Sequence, residues 1–297
     1  MTQSPLVTVI CLCYNQSAYV TQALDSVLNQ SYKNIEIIVV NDASTDDSKA
    51  IIESKTKDLA AVTFINLEKN TGPNKAFNLA AKKANGTYIM DLAADDFLEP
   101  NAISNLVTTF INSKHAKTAL VFGNANLVSK ESVFLKHFFE TNENGLVVKQ
   151  PKTGDVYIEI LKSGVYMCSV SALFSKKYFD LLGGYDETLV YEDLDFWLRL
   201  SNTYHIDFSD RIITNKRVVE SSLGSQFKNK NKLSKKINNS TFTILKKTLF
   251  LNKTKAEDKA VQQRINYENI AALKRNNFVL VLKYALLKAQ FLLRFRS

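Results

Sequence analysis

Residues 88–100 read YIMDLAADDFLEP, an apolar run that ends in two adjacent carboxylates and a proline. The run predicts a short buried strand, and Pro100 marks the break after it. Asp95 and Asp96 then lie at the carboxyl end of the strand, where each carboxylate disfavours ionisation of the other. A divalent cation, Mg²⁺ or Mn²⁺, completed by phosphate oxygens would remove this repulsion. The alternative is a solvated acidic turn in which Asp96 caps the helix after Pro100.

Apolar runs of this kind alternate with helical patterns along the first hundred residues. The runs are Leu6–Cys13, Ile35–Val40, Val62–Leu67 and Tyr88–Leu92. This alternation predicts an α/β fold with a mostly parallel, Rossmann-like sheet flanked by helices. The loops at 14–17, 41–47, 70–75 and 93–96 would open at one edge, where such sheets bind ligands. Because the chain has neither a P-loop nor a GxGxxG motif, an ATPase or a dinucleotide enzyme is not favoured.

Charge is distributed unevenly along the 297 residues, whose formal net charge is +9. Residues 216–297 contain 19 Lys and Arg against 4 Asp and Glu, which leaves 19 against 25 in residues 1–215. We therefore expect an α/β domain at 1–223 and a basic, amphipathic helical region at 224–297. A basic region of this kind favours a polyanionic partner.

The end of the basic region, Phe278–Arg296, is an apolar helical pattern interrupted by Lys and Arg. Such a helix suits the surface of an anionic bilayer. The alternative is that the helices pack on the domain at 1–223 with their lysines in solvent. Nucleic acid is not favoured as a partner, because no recognised RNA or DNA module accompanies the charge.

Targeting and cysteine patterns bear on the compartment. No basic region precedes the first apolar run, and no stretch reaches about 18 uncharged apolar residues. The three cysteines lack zinc or redox spacing, which is typical of a reducing compartment. We expect a cytoplasmic protein, peripheral on the inner face of the cell membrane.

A second acidic pair follows a glycine turn at Gly183–Gly184. Glu192 and Asp193 begin an amphipathic helix, where they either complement the helix dipole or place a general base beside a close backbone approach. The residues alone leave both interpretations open.

The motifs taken in order resemble those of family 2 inverting glycosyltransferases with the GT-A fold, over residues 6–220. The segments that carry the resemblance are Cys13-Tyr14-Asn15, Ser26–Tyr32, Asn41–Asp46, Asn70-Thr71-Gly72, Asn78, Ala93–Asp96, Gly183–Asp186 and Glu192–Arg199. Each segment is a weak signal by itself, whereas the ordered set is specific.

The resemblance implies a role for each matching position. A nucleotide-sugar donor, expected to be a UDP-sugar, would be bound by Tyr14, Asn15, Asp42, Gly72, Asn74, Lys75, Asp96, Gly184 and Arg217. Asp95 would hold Mg²⁺ or Mn²⁺ on the diphosphate. Asp193, with Glu192 beside it, would deprotonate a hydroxyl of a glycan or lipid-linked acceptor. The setting implied is bacterial surface polysaccharide synthesis.

Three departures from the family pattern matter. Ala93 replaces the first Asp of Asp-x-Asp, with Asp91 as a possible substitute, and Phe77 replaces a common Arg. The usual His after the last core strand is absent, and either Lys216 or Arg217 could supply its positive charge or simply begin the basic region. Two other classes therefore stay open: a degenerate member that binds nucleotide or glycan without turnover, and a nucleotidyltransferase that releases pyrophosphate.

Overall fold

The computed structural model describes residues 4–163, 165–219, 223–227 and 229–293. Two predicted end points, Glu220 and Arg296, lie outside these ranges. The chain forms two compact units that interleave in sequence. Unit 1 comprises Met1–Gly154, Met167–Glu187 and Tyr204–Val219, and unit 2 comprises Asp155–Tyr166, Thr188–Thr203 and Glu220–Ser297. The domain boundary after residue 223 stays a prediction.

All the strands described belong to unit 1. They are β1 (Val7–Cys13), β2 (Ile35–Asn41), β3 (Val62–Asn66), β4 (Tyr88–Ala93), β5 (Phe97–Leu98), β6 (Thr118–Val128), β7 (Phe134–His137), β8 (Ala172–Ser175) and β9 (His205–Arg217). They form one sheet in the order β3-β2-β1-β4-β8-β6-β9-β5, and β7 pairs with β6.

The helices divide between the units. They are α1 (Val20–Leu28), α2 (Ser48–Thr56), α3 (Pro73–Ala81), α4 (Ala102–Ile111), α5 (Tyr157–Ser163), α6 (Lys176–Leu181), α7 (Asp193–Ser201), α8 (Leu223–Gln226), α9 (Lys232–Leu251), α10 (Lys255–Lys274) and α11 (Phe278–Leu293). Unit 1 contains α1 to α4 and α6, and unit 2 contains the rest.

The sheet is mixed, and its longest pairings are parallel, as predicted. Strands β3, β2, β1 and β4 run parallel to one another, and β6 and β9 also pair in parallel. Strand β8 is antiparallel to both β4 and β6, and β5 and β7 are antiparallel to their partners. The four parallel strands are joined through helices α1 to α3, which is the α/β half of the fold that the sequence predicts.

Burial explains why these segments form the core. Val7, Val9, Ile10 and Cys11 are fully buried in β1, as expected for a central strand that is covered on both faces. Helix α1 buries one stripe at helical spacing: Val20, Ala23, Leu24 and Val27. The three cysteines are all buried and reduced.

The elements described in unit 2 are helices, and two of them are capped at their starts by side chains. The Asn231 side chain accepts a hydrogen bond from the Ser234 N–H at the start of α9, and Thr254 and Glu257 form a capping box at the start of α10. Helices α9, α10 and α11 contact one another. The predicted helical C-terminal region is therefore confirmed. Within the described ranges no helix has the length and apolar character needed to cross a membrane.

Candidate active site

The predicted donor residues gather at the carboxyl edge of the parallel strands. Tyr14 and Asn15 follow β1, Asp42 follows β2, the Thr71–Gly72 loop follows β3, and Asp95 and Asp96 follow β4. Backbone hydrogen bonds continue the sheet into these loops, from Asp42 N–H to the Cys13 carbonyl and from Ala94 N–H to the Leu12 carbonyl, each at 2.9 Å. The edge is the place where an open α/β sheet binds its ligand.

Asp42 is a buried carboxylate that holds the loop before α3. Its Oδ1 accepts hydrogen bonds from the Thr71 N–H at 2.7 Å and the Thr71 hydroxyl at 3.1 Å. Its Oδ2 accepts from the Gly72 N–H at 2.9 Å. Gly72 has a positive φ of 83°, which a side chain would strain. Asp42 therefore fixes the shape of this loop, and its predicted contact with a nucleobase stays a prediction.

The loops after β1 and β2 are tied together by Asn15. Its backbone N–H donates to the Ser44 hydroxyl at 2.9 Å, and its Oδ1 accepts from the Thr45 N–H at 2.7 Å. Asp46 adds a second link by accepting from the Ser17 N–H. Burial opposes ionisation of Asp46, but hydrogen bonds from Ser48 and Ser17 outweigh it and lower the pKa to about 2. Tyr14, about half exposed, stands beside this braced pair of loops.

Asp95 and Asp96 form a pair of adjacent carboxyl groups directly after β4, at the carboxyl edge of the sheet. Asp96 is buried, with 3% of its surface exposed, and Asp95 is half-buried. Burial, and then the Asp95 charge, raise the pKa of Asp96 well above its usual range, against the opposing effect of Lys216. Burial also raises the pKa of Asp95, although a hydrogen bond from the Gln16 side chain and the Lys216 charge counteract it. Burial therefore opposes ionisation of both carboxyl groups, most strongly that of Asp96.

The carboxylate oxygens of Asp95 and Asp96 are suitable ligands for a divalent cation. Adjacent carboxylates whose ionisation is opposed by burial gain from a bound cation, and carboxylate oxygens are the ligands that Mg²⁺ and Mn²⁺ prefer. No group of three or more His, Cys, Asp or Glu side chains suited to a metal occurs in the described ranges, so Asp91 does not complete the pair. Any cation held here would take its remaining ligands from the donor diphosphate and water.

Arg217 supports the carboxylate pair from behind. Its backbone N–H donates to Asp96 Oδ1 at 2.7 Å, and its Nε donates to the Asp95 carbonyl at 2.9 Å. Its guanidinium also reaches the β6–β7 turn, through the Ser129 and Lys130 carbonyls, and Gln22 Oε1 on α1. The side chain is buried between the Tyr19 and Phe97 rings. These contacts give Arg217 a supporting role and do not support its predicted contact with a diphosphate.

We expect Arg217→Met to destabilise the fold strongly. The change leaves at least four carbonyl or amide oxygens without a donor and removes a buried cation, so the free energy of unfolding should fall by about 3–5 kcal/mol. Chemical denaturation followed by circular dichroism measures it. Arg211→Met is the matched control, because Arg211 is exposed on the same strand, and its effect should stay within about 0.5 kcal/mol. Equal stabilities of the two variants would contradict this assignment.

The glycine turn is fastened to α3 by two amide side chains. The Asn78 amide donates to the Tyr185 carbonyl at 2.9 Å and its Oδ1 accepts from the Tyr185 N–H at 3.0 Å. Asn74 donates to the Asp186 carbonyl at 2.8 Å. Gly184 has a φ of 75°, and a Cβ there would lie 2.7 Å from Asn78 Oδ1. Gly184 is therefore required for the close approach of the glycine turn to Asn78. Asn74 also helps to hold the glycine turn against α3.

Two residues of α3 differ in their surroundings. Lys75 is exposed in the first turn of the helix, next to the Gly72 loop. Phe77 is fully buried, with its ring centroid 4.7 Å from that of Tyr185 and 5.6 Å from that of Phe179. Phe77 is thus a core residue that packs against the Tyr185 ring of the glycine turn.

The predicted base and its neighbour lie in unit 2, at the start of α7. Glu192 is the N-cap residue and Asp193 the first residue of the helix. Both are half-buried, and Asp193 Oδ1 accepts from the Leu194 N–H. Asp195, two residues on, is buried and pairs with Arg199 Nε at 2.7 Å and Lys247 Nζ at 2.6 Å. Asp195 is therefore structural, whereas Asp193 keeps a partly exposed carboxylate.

Three residues of the site have contacts that the sequence did not predict: Gln16, Gln22 and Asn78. Gln16 contacts Asp95, Gln22 binds Arg217, and Asn78 holds the glycine turn. Of these, only Asn78 belonged to a matching motif. The two glutamines carry no local signal, because their partners are about 80 and 195 positions away along the chain.

The chain is an α/β protein with acidic and amide side chains collected at the carboxyl edge of its sheet, the edge at which open α/β sheets bind their ligands. Residues 8–181 match the family model described as "Glycosyl transferase family 2". The match covers more than half of the 297 residues, so the chain belongs to glycosyltransferase family 2. The family resemblance expected from the motifs is confirmed.

Curated relatives agree with this membership. An uncharacterized glycosyltransferase of Rickettsia bellii is 32% identical over 225 residues, which are 75% of this chain and 31% of that protein. The chondroitin synthase of Escherichia coli is 27% identical over 213 residues, 71% of this chain and 29% of that protein. The chain spans between 31% and 65% of the length of the first three curated relatives.

Solved structures show the same fold. S. aureus TarS 1–349 in complex with UDP-GlcNAc has a TM-score of 0.65 at 17% identity and covers 96% of this chain and 91% of that one. The mannosyltransferase PcManGT of Pyrobaculum calidifontis in complex with GDP-Man and Mn²⁺ has a TM-score of 0.61 at 17% identity, over 96% of this chain and 74% of that one. The predicted GT-A fold is thereby confirmed.

Proposed function

We propose that this family 2 glycosyltransferase moves one sugar from a nucleotide-sugar donor to a hydroxyl of a glycan or lipid-linked acceptor. The observation that carries the proposal is the Asp95–Asp96 pair, with raised pKa values, at the same sheet edge as the Asp42 loop. A nucleoside at the Asp42 loop and a diphosphate at the carboxylate pair match the two parts of one donor.

The proposed reaction is a single displacement. Asp95 would hold Mg²⁺ or Mn²⁺, a Lewis acid that stabilises charge on the departing diphosphate. Asp96 would lie beside the donor sugar. Asp193 would take the proton of the acceptor hydroxyl. The hydroxyl oxygen would then bond to the anomeric carbon of the sugar as the bond between that carbon and the diphosphate breaks. One base and no covalent nucleophile give inversion of configuration.

The donor and acceptor classes are proposed from the relatives. TarS is a solved structure with UDP-GlcNAc and PcManGT one with GDP-Man, so a UDP-sugar is proposed first and a GDP-sugar second. The chondroitin synthase relative favours polysaccharide synthesis. We propose bacterial surface polysaccharide as the product and the inner face of the cell membrane as the location.

Calorimetric titration of UDP and GDP tests the donor site. The proposal expects a nucleoside diphosphate to bind in the presence of Mn²⁺ and to bind more weakly without it, because the carboxylate pair then repels the diphosphate. Failure of both nucleotides to bind with Mn²⁺ would favour the degenerate alternative. An affinity for nucleoside diphosphate that is the same with and without Mn²⁺ would show that no cation on Asp95 contributes to donor binding.

A further inference from the structure

The helical hairpin formed by α10 and α11 exposes large apolar side chains on both helices. Helix α11 buries a stripe spaced by four, three and four residues: Leu280, Tyr284, Leu287 and Phe291. Yet its opposite face is also apolar, since Val279, Leu282 and Leu286 are 59–70% exposed. On α10, Tyr267, Ile270 and Leu273 are 53–66% exposed at a spacing of three residues. A helix at an ordinary protein surface presents polar residues on such a face.

The exposed charges beside these side chains are positive, because Glu268 is buried and pairs with Arg264. No Asp or Glu occurs from Asn269 to Leu293, whereas the same stretch contains Lys274, Arg275, Lys283 and Lys288. Lys274 and Lys283 are exposed, and Lys283 lies over the Phe242 ring at 5.6 Å. The hairpin therefore combines exposed apolar side chains with a net positive charge.

We propose that the exposed face of the α10–α11 hairpin docks on an anionic bilayer. Its apolar side chains would enter the boundary between headgroups and acyl chains, while the lysines bind lipid phosphates. Large apolar side chains left exposed along two contacting helices favour an interaction site, and the positive charge selects an anionic partner over a neutral one. Pairing of this face with the same face of a second copy of the chain would bring lysines of like charge together, which disfavours a dimer. This inference is independent of sugar transfer.

Vesicle flotation with the full chain tests the proposal. Phosphatidylcholine vesicles with phosphatidylglycerol should carry the protein to the top of the gradient, and pure phosphatidylcholine or raised salt should release it. The double variant Leu282→Ser, Leu286→Ser should lower the partition coefficient by about tenfold or more, because it removes apolar area that would be buried. Both positions are exposed, so circular dichroism and thermal unfolding should be unchanged.

Matched controls come from α9 in the same unit. Phe250 is 86% exposed outside the hairpin, and Phe250→Ser should float like the natural chain. Lys274→Gln with Lys283→Gln should weaken binding to anionic vesicles, whereas the exposed pair Lys235→Gln with Lys246→Gln should do so much less.

Three outcomes would overturn the proposal. The first is no flotation of the natural chain with anionic vesicles. The second is equal flotation of the Leu282→Ser, Leu286→Ser variant and the natural chain. The third is self-association without vesicle binding, seen by sedimentation as a concentration-dependent dimer that the Leu282→Ser, Leu286→Ser substitutions abolish. The hairpin would then be a contact between copies of the chain.

Discussion

Asp193→Asn should abolish turnover while leaving donor binding intact. The amide keeps the size of the side chain and the hydrogen bond that Asp193 Oδ1 accepts from the Leu194 N–H, but it cannot accept a proton. General base catalysis contributes about 10²–10⁴-fold, so kcat should fall by that factor. Release of nucleoside diphosphate in the presence of acceptor measures kcat, and calorimetry measures donor affinity.

Two neighbours serve as controls for Asp193. Asp195→Asn breaks a buried ion pair with Arg199 and Lys247, so it should cost about 3 kcal/mol of unfolding free energy. Glu192→Gln should lower kcat less than Asp193→Asn does. Full turnover by Asp193→Asn would remove Asp193 as the base, and loss of turnover only in Glu192→Gln would assign the base to Glu192.

Asp95→Asn should have the second largest effect, on the reaction and on Mn²⁺ dependence together. The amide is a poorer ligand for a hard cation than a carboxylate is. We expect kcat/KM to fall by about 10²–10³-fold, the loss seen when one preorganised stabiliser of transition-state charge is removed. The Mn²⁺ concentration that gives half-maximal donor binding, measured by calorimetry, should rise.

Asp58→Asn is the matched control for Asp95, because Asp58 is an exposed aspartate of unit 1 away from the sheet edge. It should change neither kcat/KM nor Mn²⁺ dependence. An Asp95→Asn enzyme with unchanged Mn²⁺ dependence would show that the cation is held elsewhere or plays no part in donor binding.

The N-terminal half of the fold could be predicted because its signals are local. The predicted strand Ile35–Val40 differs by one residue from β2, and the predicted strand Tyr88–Leu92 differs by one residue from β4. Apolar runs of this length are buried on both faces, so period and composition are enough. The loops that carry Asp42 and Asp95 followed from the order of the strands.

The second half of the sheet depends on partners that are distant in sequence. Strand β9 reads HIDFSDRIITNKR, and its polar residues hide the pairing with β6. Residues 129–155 are polar and show no regular pattern in the sequence, yet Phe134–His137 forms β7 against β6. The supporting role of Arg217 was missed for the same reason, because burial and carbonyl partners leave no mark in local sequence.

The most direct test of the central claim is a product assay with UDP-sugars and GDP-sugars, Mn²⁺ and a glycolipid extract as the acceptor source. Nucleoside diphosphate and pyrophosphate are measured together over time. The account predicts that nucleoside diphosphate accumulates without pyrophosphate, and that Asp193→Asn stops it. Pyrophosphate as the product would instead identify a nucleotidyltransferase, and no product from any donor would contradict sugar transfer.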